Sequence, residues 1–219
     1  MNLLSSTFSL IKKDILLEWR NKYAISGILM YMLSIILIIF FTFENVQGPV
    51  WVVLFWIIIL FTAINAIAKS FLSESNGRNL YLYTLASPQS IILSKIIYNI
   101  CIMLFLCLLA VLFYSFSAGF PVVDNTSFFL ALTLGAISFA SIFSMMSAIA
   151  SKANNSGTLM AILSFPILIP ILKILLRISL QAVTENNFSV NMQDILYLLA
   201  LNVFIITLAL ILFPYLWRD

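Results

Sequence analysis

Residues 50–68 read VWVVLFWIIILFTAINAIA, a run without a single charge and with Thr62 and Asn65 as its only polar side chains. A helix of that length crosses a hydrocarbon core of about 30 Å, which takes roughly 20 residues. A barrel strand needs only about half as many residues and alternates polar with apolar positions, which this run does not do. Working outward, five further runs have the same character: Tyr23–Phe43, Ile91–Tyr114, Phe128–Ala150, Thr158–Leu176 and Ile195–Phe213. Together they occupy most of a 219-residue chain that is 63% hydrophobic and 9% charged, so too little is left over for a second, water-soluble core. The expectation is an all-α polytopic membrane protein with six transmembrane helices. Each helix satisfies its own backbone groups, as lipid demands. Residues 23–219 form a single membrane domain, preceded by an N-terminal segment, residues 1–22.

The cations orient this domain. Assigning the joints to alternate sides puts Lys12, Lys13, Arg20, Lys22, Lys69, Arg78, Lys95, Lys152 and Arg218 on one face, and only Lys173 and Arg177 on the other. Positive residues gather on the cytoplasmic side, so both termini are expected there. The first run has the length of a span, and Phe43-Glu44-Asn45-Val46 after it lacks a small-x-small cleavage pattern. It is therefore expected to stay as an anchor. The net charge of +3 is spread along membrane margins and makes no basic face for nucleic acid. Cys101 and Cys107, six residues apart on one helix, point to different faces and read as apolar filler without a disulfide.

The residues that are missing restrict the chemistry. There is no histidine, which removes histidine-based triads, histidine zinc sites and histidine haem ligation by this chain. None of the six glycines falls at the spacing of a phosphate-binding loop, so work driven by ATP needs a partner that hydrolyses it. None of the eight acidic residues lies mid-span, which argues against a buried carboxylate relay. The chain is expected to be a non-catalytic subunit with no catalytic residues, no metal site and no tightly bound cofactor.

Function must then sit in the interruptions. Leu4, Phe8, Ile11, Ile15 and Trp19 share one helical face, with Lys13 and Arg20 roughly opposite. This describes an amphipathic interfacial helix on membrane lipid, a helix packed on the protein's own membrane domain, or both. The joint at about 69–90 is not a flexible linker: Leu80, Tyr81, Tyr83 and Leu85 form a semi-apolar segment, with Glu74 and Arg78 at helical-pair spacing before it. Ser87 is placed to cap the third span and Pro88 to occupy its first turn. The joint either buries against a partner or covers its own helix ends. Pro166 and Pro170 lie one turn apart in the fifth span and predict a kink, read as a hinge or as a static bend. In the fourth span Ala136, Ala140, Ser144 and Ala148 repeat every four residues, a pattern that permits close helix approach within one chain or between two. Asn65, Asn99 and Asn202 are expected to hydrogen-bond between helices. Lys173 and Arg177 read as cations snorkelling to the outer headgroups, with the carboxylates of a ligand or an acidic partner as the alternative.

Several of these segments, in this order and spacing, carry a family resemblance. They are Phe55–Ala68 running into Ser70-Phe71 and Glu74, then Leu80–Leu85, Ser87-Pro88, Leu93-Ser-Lys95, Lys152–Gly157 and Leu163–Pro170. Across essentially the whole chain the sequence resembles the CcmB family, the membrane permease subunit of the haem-exporter system of cytochrome c maturation, similar in architecture to type-2 ABC exporter permeases. The resemblance implies a bacterial inner-membrane subunit that docks a cytoplasmic ABC ATPase and works beside other cytochrome c maturation subunits and a haem chaperone. Haem is then a transported or handled ligand. It also implies that about Glu74 to Ser87 form the coupling segment, with Leu80, Tyr81, Tyr83 and Leu85 as its apolar anchor and Glu74 and Arg78 as its polar rim. The alternatives are a type-2 permease half for a lipid, drug or polysaccharide, and a scaffold that assembles partners without transport. Six spans make one membrane half, which leaves a homodimer open.

Overall fold

The structure is a computed structural model that describes residues 3–20, 22–43, 46–67, 87–151, 156–184 and 188–218. Among the described residues there are seven helices: α1 (Leu3–Arg20), α2 (Lys22–Thr42), α3 (Gly48–Ile67), α4 (Pro88–Ala118), α5 (Asn125–Ala150), α6 (Ser156–Thr184) and α7 (Phe188–Arg218). The last six are each long and apolar enough to cross a membrane. Several outrun the apolar stretches that announce them. α4 extends beyond Ile91–Tyr114 at both ends, and α6 continues past Leu176 to Thr184. The physical reason is that hydropathy marks only the hydrocarbon slab, whereas a helix continues until its backbone groups find other partners.

α5 is the axis of the bundle. Between Gly135 and Ala148 every side chain except Ile137 is buried, and α6, α4, α7 and α3 all pack against it. α2 lies at the periphery against α3 and α4, and α1 rests mainly on α4. Lipid tails are as apolar as leucine, so helices associate in a bilayer through close contact and hydrogen bonds. The sequence of α5 suits that demand with glycine, alanine and serine where neighbours approach. At Gly135 a Cβ would stand 2.7 Å from Cη2 of Trp56 and 3.2 Å from Cδ1 of Leu175. The indole cannot retreat freely, because its Nε1 donates a 2.9 Å hydrogen bond to Ser179 Oγ. α3, α5 and α6 thus meet at one glycine.

The end of the bundle where α4 stops is closed by aromatic packing and backbone bonds. Trp51 stacks on Phe55 at 5.4 Å and lies 4.9 Å from the Tyr114 ring, with Phe128 at 5.7 Å. Its Nε1 donates to the Gly119 carbonyl at 2.9 Å. Gly119 ends α4 at φ +77°, a region that suits glycine and not residues with a Cβ. The chain then turns into α5, where Asp124 Oδ1 caps the helix by accepting from the amides of Thr126 (3.0 Å) and Ser127 (3.2 Å). The amides of Val123 and Asp124 both donate to the Ala182 carbonyl, at 3.0 and 2.9 Å, and tie this turn to the last turn of α6.

Gly135→Ala is expected to destabilise the protein by about 1–3 kcal/mol through overpacking against Trp56. Gly27→Ala, where a Cβ meets nothing within 4 Å, should stay within about 0.5 kcal/mol. Unfolding of the two variants in the same detergent or bicelle measures the difference.

Candidate functional site

At the opposite end of the bundle the helices are tied by polar side chains. α4 begins with a local device that needs no tertiary help. Ser87 is extended (φ −68°, ψ 147°) and its side chain accepts from the Ser90 amide at 3.4 Å, while Ser90 Oγ donates to the Ser87 carbonyl at 2.7 Å. Pro88 follows in the first turn, where its missing N–H costs nothing and its fixed φ favours the helix. The joint at about 69–90 therefore ends in a stiff, capped start to α4. Glu74, Arg78, Leu80, Tyr81, Tyr83 and Leu85 lie outside the described residues.

From this cap onward α4 buries one polar residue per turn: Ser90, Ser94 with Lys95, then Asn99. Ser94 Oγ satisfies itself on the Ile91 carbonyl at 2.8 Å. The other two reach neighbouring helices. Lys95 Nζ lies 3.1 Å from Asp14 Oδ2 of α1, and both side chains are more than nine-tenths buried. Lys13 Nζ approaches the other oxygen of Asp14 at 3.4 Å. One turn further on, Asn99 Nδ2 donates to Ser144 Oγ of α5 at 2.7 Å, and that hydroxyl donates to the Ala140 carbonyl at 2.6 Å. α4 thus holds α1 by a charge pair and α5 by an amide, within about 6 Å of helix axis.

The remaining residues singled out from sequence are scattered relative to this cluster. Ala136, Ala140, Ser144 and Ala148 are all buried. The chain's own helices cover this stripe, so any homodimer must use other surfaces. Pro166 and Pro170 are exposed residues inside α6, which runs as a single helix through both. Pro170 borders an apolar cavity of about 100 Å³ between α5, α6 and α7, where Met145, Met146, Ile171 and Phe204 also line the wall. The lining there is side-chain hydrocarbon and thioether, which suits an apolar group and offers no polar anchor. Asn202 bridges α7 to the Leu134 carbonyl of α5 at 3.2 Å, whereas Asn65, exposed, only donates back to Phe61 of its own helix at 2.8 Å. The expected interhelical bond therefore holds for Asn99 and Asn202 and not for Asn65. Arg177 pairs through Nε with Asp194 Oδ2 of α7 at 3.1 Å, an internal partner that the sequence reading did not foresee. Lys173, one turn before it, is exposed.

On α1 the outward face carries Phe8, 72% exposed, and Ile15, 49% exposed, while Ile11 is half-buried. The side chains of Leu4 and Trp19 lie outside the described ones. The face turned to the bundle is the more polar one, with Ser6, Thr7 and Asp14 buried and Leu10 packed on the core. The helix packs on its own membrane domain, but with the flank of the apolar stripe. Charge counting treats Lys95 as one more cytoplasmic cation and so does not reveal its pairing with Asp14. The signal was present: it falls inside the apolar run Ile91–Tyr114, and an ionisable group there calls for a partner.

A chain of six long apolar helices, with a buried charge pair and an amide tie beside the capped start of one span, belongs to the class of multi-pass membrane proteins. The sequence model of the CcmB protein family matches residues 5–215, nearly the whole chain, and the protein belongs to that family. Membership places it among the membrane components of the haem-export ABC system of cytochrome c biogenesis. No match is found among curated protein sequences.

A double-mutant cycle on Asn99→Leu and Ser144→Ala is expected to give a favourable coupling energy of about 1.7 kcal/mol at most and near the average of about 0.6 kcal/mol for side-chain hydrogen bonds between membrane helices. The coupling should stay near that average, because Ser144 keeps its bond to Ala140 when Asn99 is removed. Unfolding of the four chains under identical detergent conditions checks this value.

Proposed function

We propose that this chain is the permease subunit through which a separate cytoplasmic ABC ATPase acts on haem export or on release of a haem-loaded chaperone during c-type cytochrome assembly. The observation that carries the proposal is the family match across residues 5–215. Supporting it is the chain's own sequence, which has no phosphate-binding loop and so leaves nucleotide hydrolysis to a partner. The subunit sits in the bacterial inner membrane with both termini in the cytoplasm, the side to which nine of its eleven lysines and arginines are assigned.

The ATPase docks on the segment at about 69–90. Leu80, Tyr81, Tyr83 and Leu85 form the buried centre of that contact, and Glu74 with Arg78 its rim, since interfaces concentrate their energy in a few apolar and aromatic anchors. The capped start of α4 supports this reading, because a segment that ends in a stiff helix passes on a push that a slack one would absorb. α1 lies along the cytoplasmic leaflet with Phe8 and Ile15 in the acyl boundary and its cations near lipid phosphates. Other cytochrome c maturation subunits and the haem chaperone complete the assembly, and haem is cargo that this chain handles without holding it as a resident group.

Replacing Tyr81 and Leu85 together with aspartate is expected to release the ATPase from detergent-solubilised complexes while the chain itself remains in the membrane. Copurification at the wild-type level would refute the docking site. Export and chaperone release are separated by reconstituting the chain with its ATPase and partners in vesicles, with and without hydrolysable ATP. Haem crossing from the ATPase side identifies export, and chaperone release without haem crossing identifies a mechanical role.

A further inference from the structure

The buried pair between Asp14 and Lys95 needs an explanation that stability does not supply. Removing two charges from water costs several kcal/mol per ion, and an apolar pair of similar size is often as stable or more so. What such a pair supplies is direction, because it is strong in one geometry and costly when either partner is alone. Its surroundings show what is being directed. α1 turns Ser6, Thr7 and Asp14 inward and leaves Phe8 and Ile15 outside, so the burial of its most apolar face is not what holds it. Its register on α4 is set where Lys95 meets Asp14 at 3.1 Å. Lys95 stands about 10 Å along a continuous helix from Pro88, where α4 takes over from the joint at about 69–90. Among the described residues, the ion pair between Arg177 and Asp194 has its arginine 66% exposed and lacks this enclosure.

Resting on the proposed docking of an ATPase to that joint, we infer that Asp14 and Lys95 form a joint that carries displacement of the start of α4 to α1. Both are positioning residues: they bind neither nucleotide nor cargo, and they make α1 follow α4. A push on the capped end of α4 reaches α5 inside the membrane through Asn99 and Ser144. It reaches the surface helix through the charge pair. ATP turnover by the partner therefore moves the lipid-facing stripe of α1 as well as the spans.

The test uses the full chain with its ATPase in vesicles of phosphatidylethanolamine and phosphatidylglycerol. An environment-sensitive fluorophore is attached at Ile15→Cys on the exposed stripe of α1, with Cys101→Ala to remove the other exposed thiol. In the chain with its native Asp14 and Lys95, adding ATP should change the emission. With Lys95→Met the change should be lost while the ATPase still copurifies, and the exchange Asp14→Lys with Lys95→Asp should restore it. Should Asp14, left with Lys13 alone, prevent folding of the single variant, Asp14→Leu with Lys95→Met removes both charges, keeps the site filled, and is likewise expected to lose the signal. An undiminished ATP response in this apolar pair overturns the inference, as does a native pair that shows no response while the bound ATPase turns over. Failure of the ATPase to bind the native chain refutes the proposed function and this inference with it, and copurification tells that failure from the others.

Discussion

Contact distance between helices is the constraint on which this structure depends. In water, burial of leucine and isoleucine would gather the helices; in lipid those side chains are equally at ease outside, and cohesion comes from how closely backbones approach and from polar groups that find one another. α5 meets that constraint by carrying small residues along its length, with Gly135 set against the indole of Trp56 and Ala136, Ala140 and Ser144 enclosed. Most of the bulky, exposed hydrophobics are left to the outward faces of the other helices, such as Phe41 on α2, Phe116 on α4, Ile162 on α6 and Phe204 on α7. A mutation of modest size in α5 therefore matters more than a large one on the periphery.

The two ends of the bundle are held in different ways. Where α4 stops and α5 starts, the ties are backbone amides on the Ala182 carbonyl, a carboxylate cap and a cluster of stacked rings. Those contacts fix one arrangement. Where α4 starts, beyond the apolar packing of Ile91, Ile92 and Ile96, the polar ties are single side chains, Lys95 to Asp14 and Asn99 to Ser144, each joining one helix to another at one point. Point contacts transmit force along a line and tolerate rotation about it, which a plane of stacked aromatics does not. The proposed site of action lies at the end with the point contacts.

Much of this fold was legible in the sequence, because apolar run length is a direct reading of bilayer thickness and needs no knowledge of tertiary contacts. Ser87 and Pro88 were legible for a similar reason: a cap is a local event decided by a few neighbouring residues. The limits of α4 and α6 were not, since helices outlast the hydrocarbon and hydropathy is silent beyond it. Asn65 shows a further limit. Its chemistry demanded a partner, and the demand was met by its own helix, a choice that composition alone does not reveal. The pairing of Asp14 with Lys95, and of Arg177 with Asp194, depends on which helices are neighbours, so charge counting recorded these residues as topology signals and passed over their bonds. The stripe on α1 was correctly amphipathic, yet the face that docks is set by a carboxylate beside the stripe.

The order in which the ribosome makes the chain adds a consequence. Asp14 is made before its buried counter-ion Lys95, which is synthesised only after two further spans are complete. Until then the Asp14 carboxylate has only its neighbour Lys13 as a counter-ion and no span to dock on, so the final seat of α1 is taken late, when the third span arrives. α1 is thus made before the span it docks on and settles after it, and an insertion error in either of the two intervening spans would leave it stranded on the wrong side of its partner.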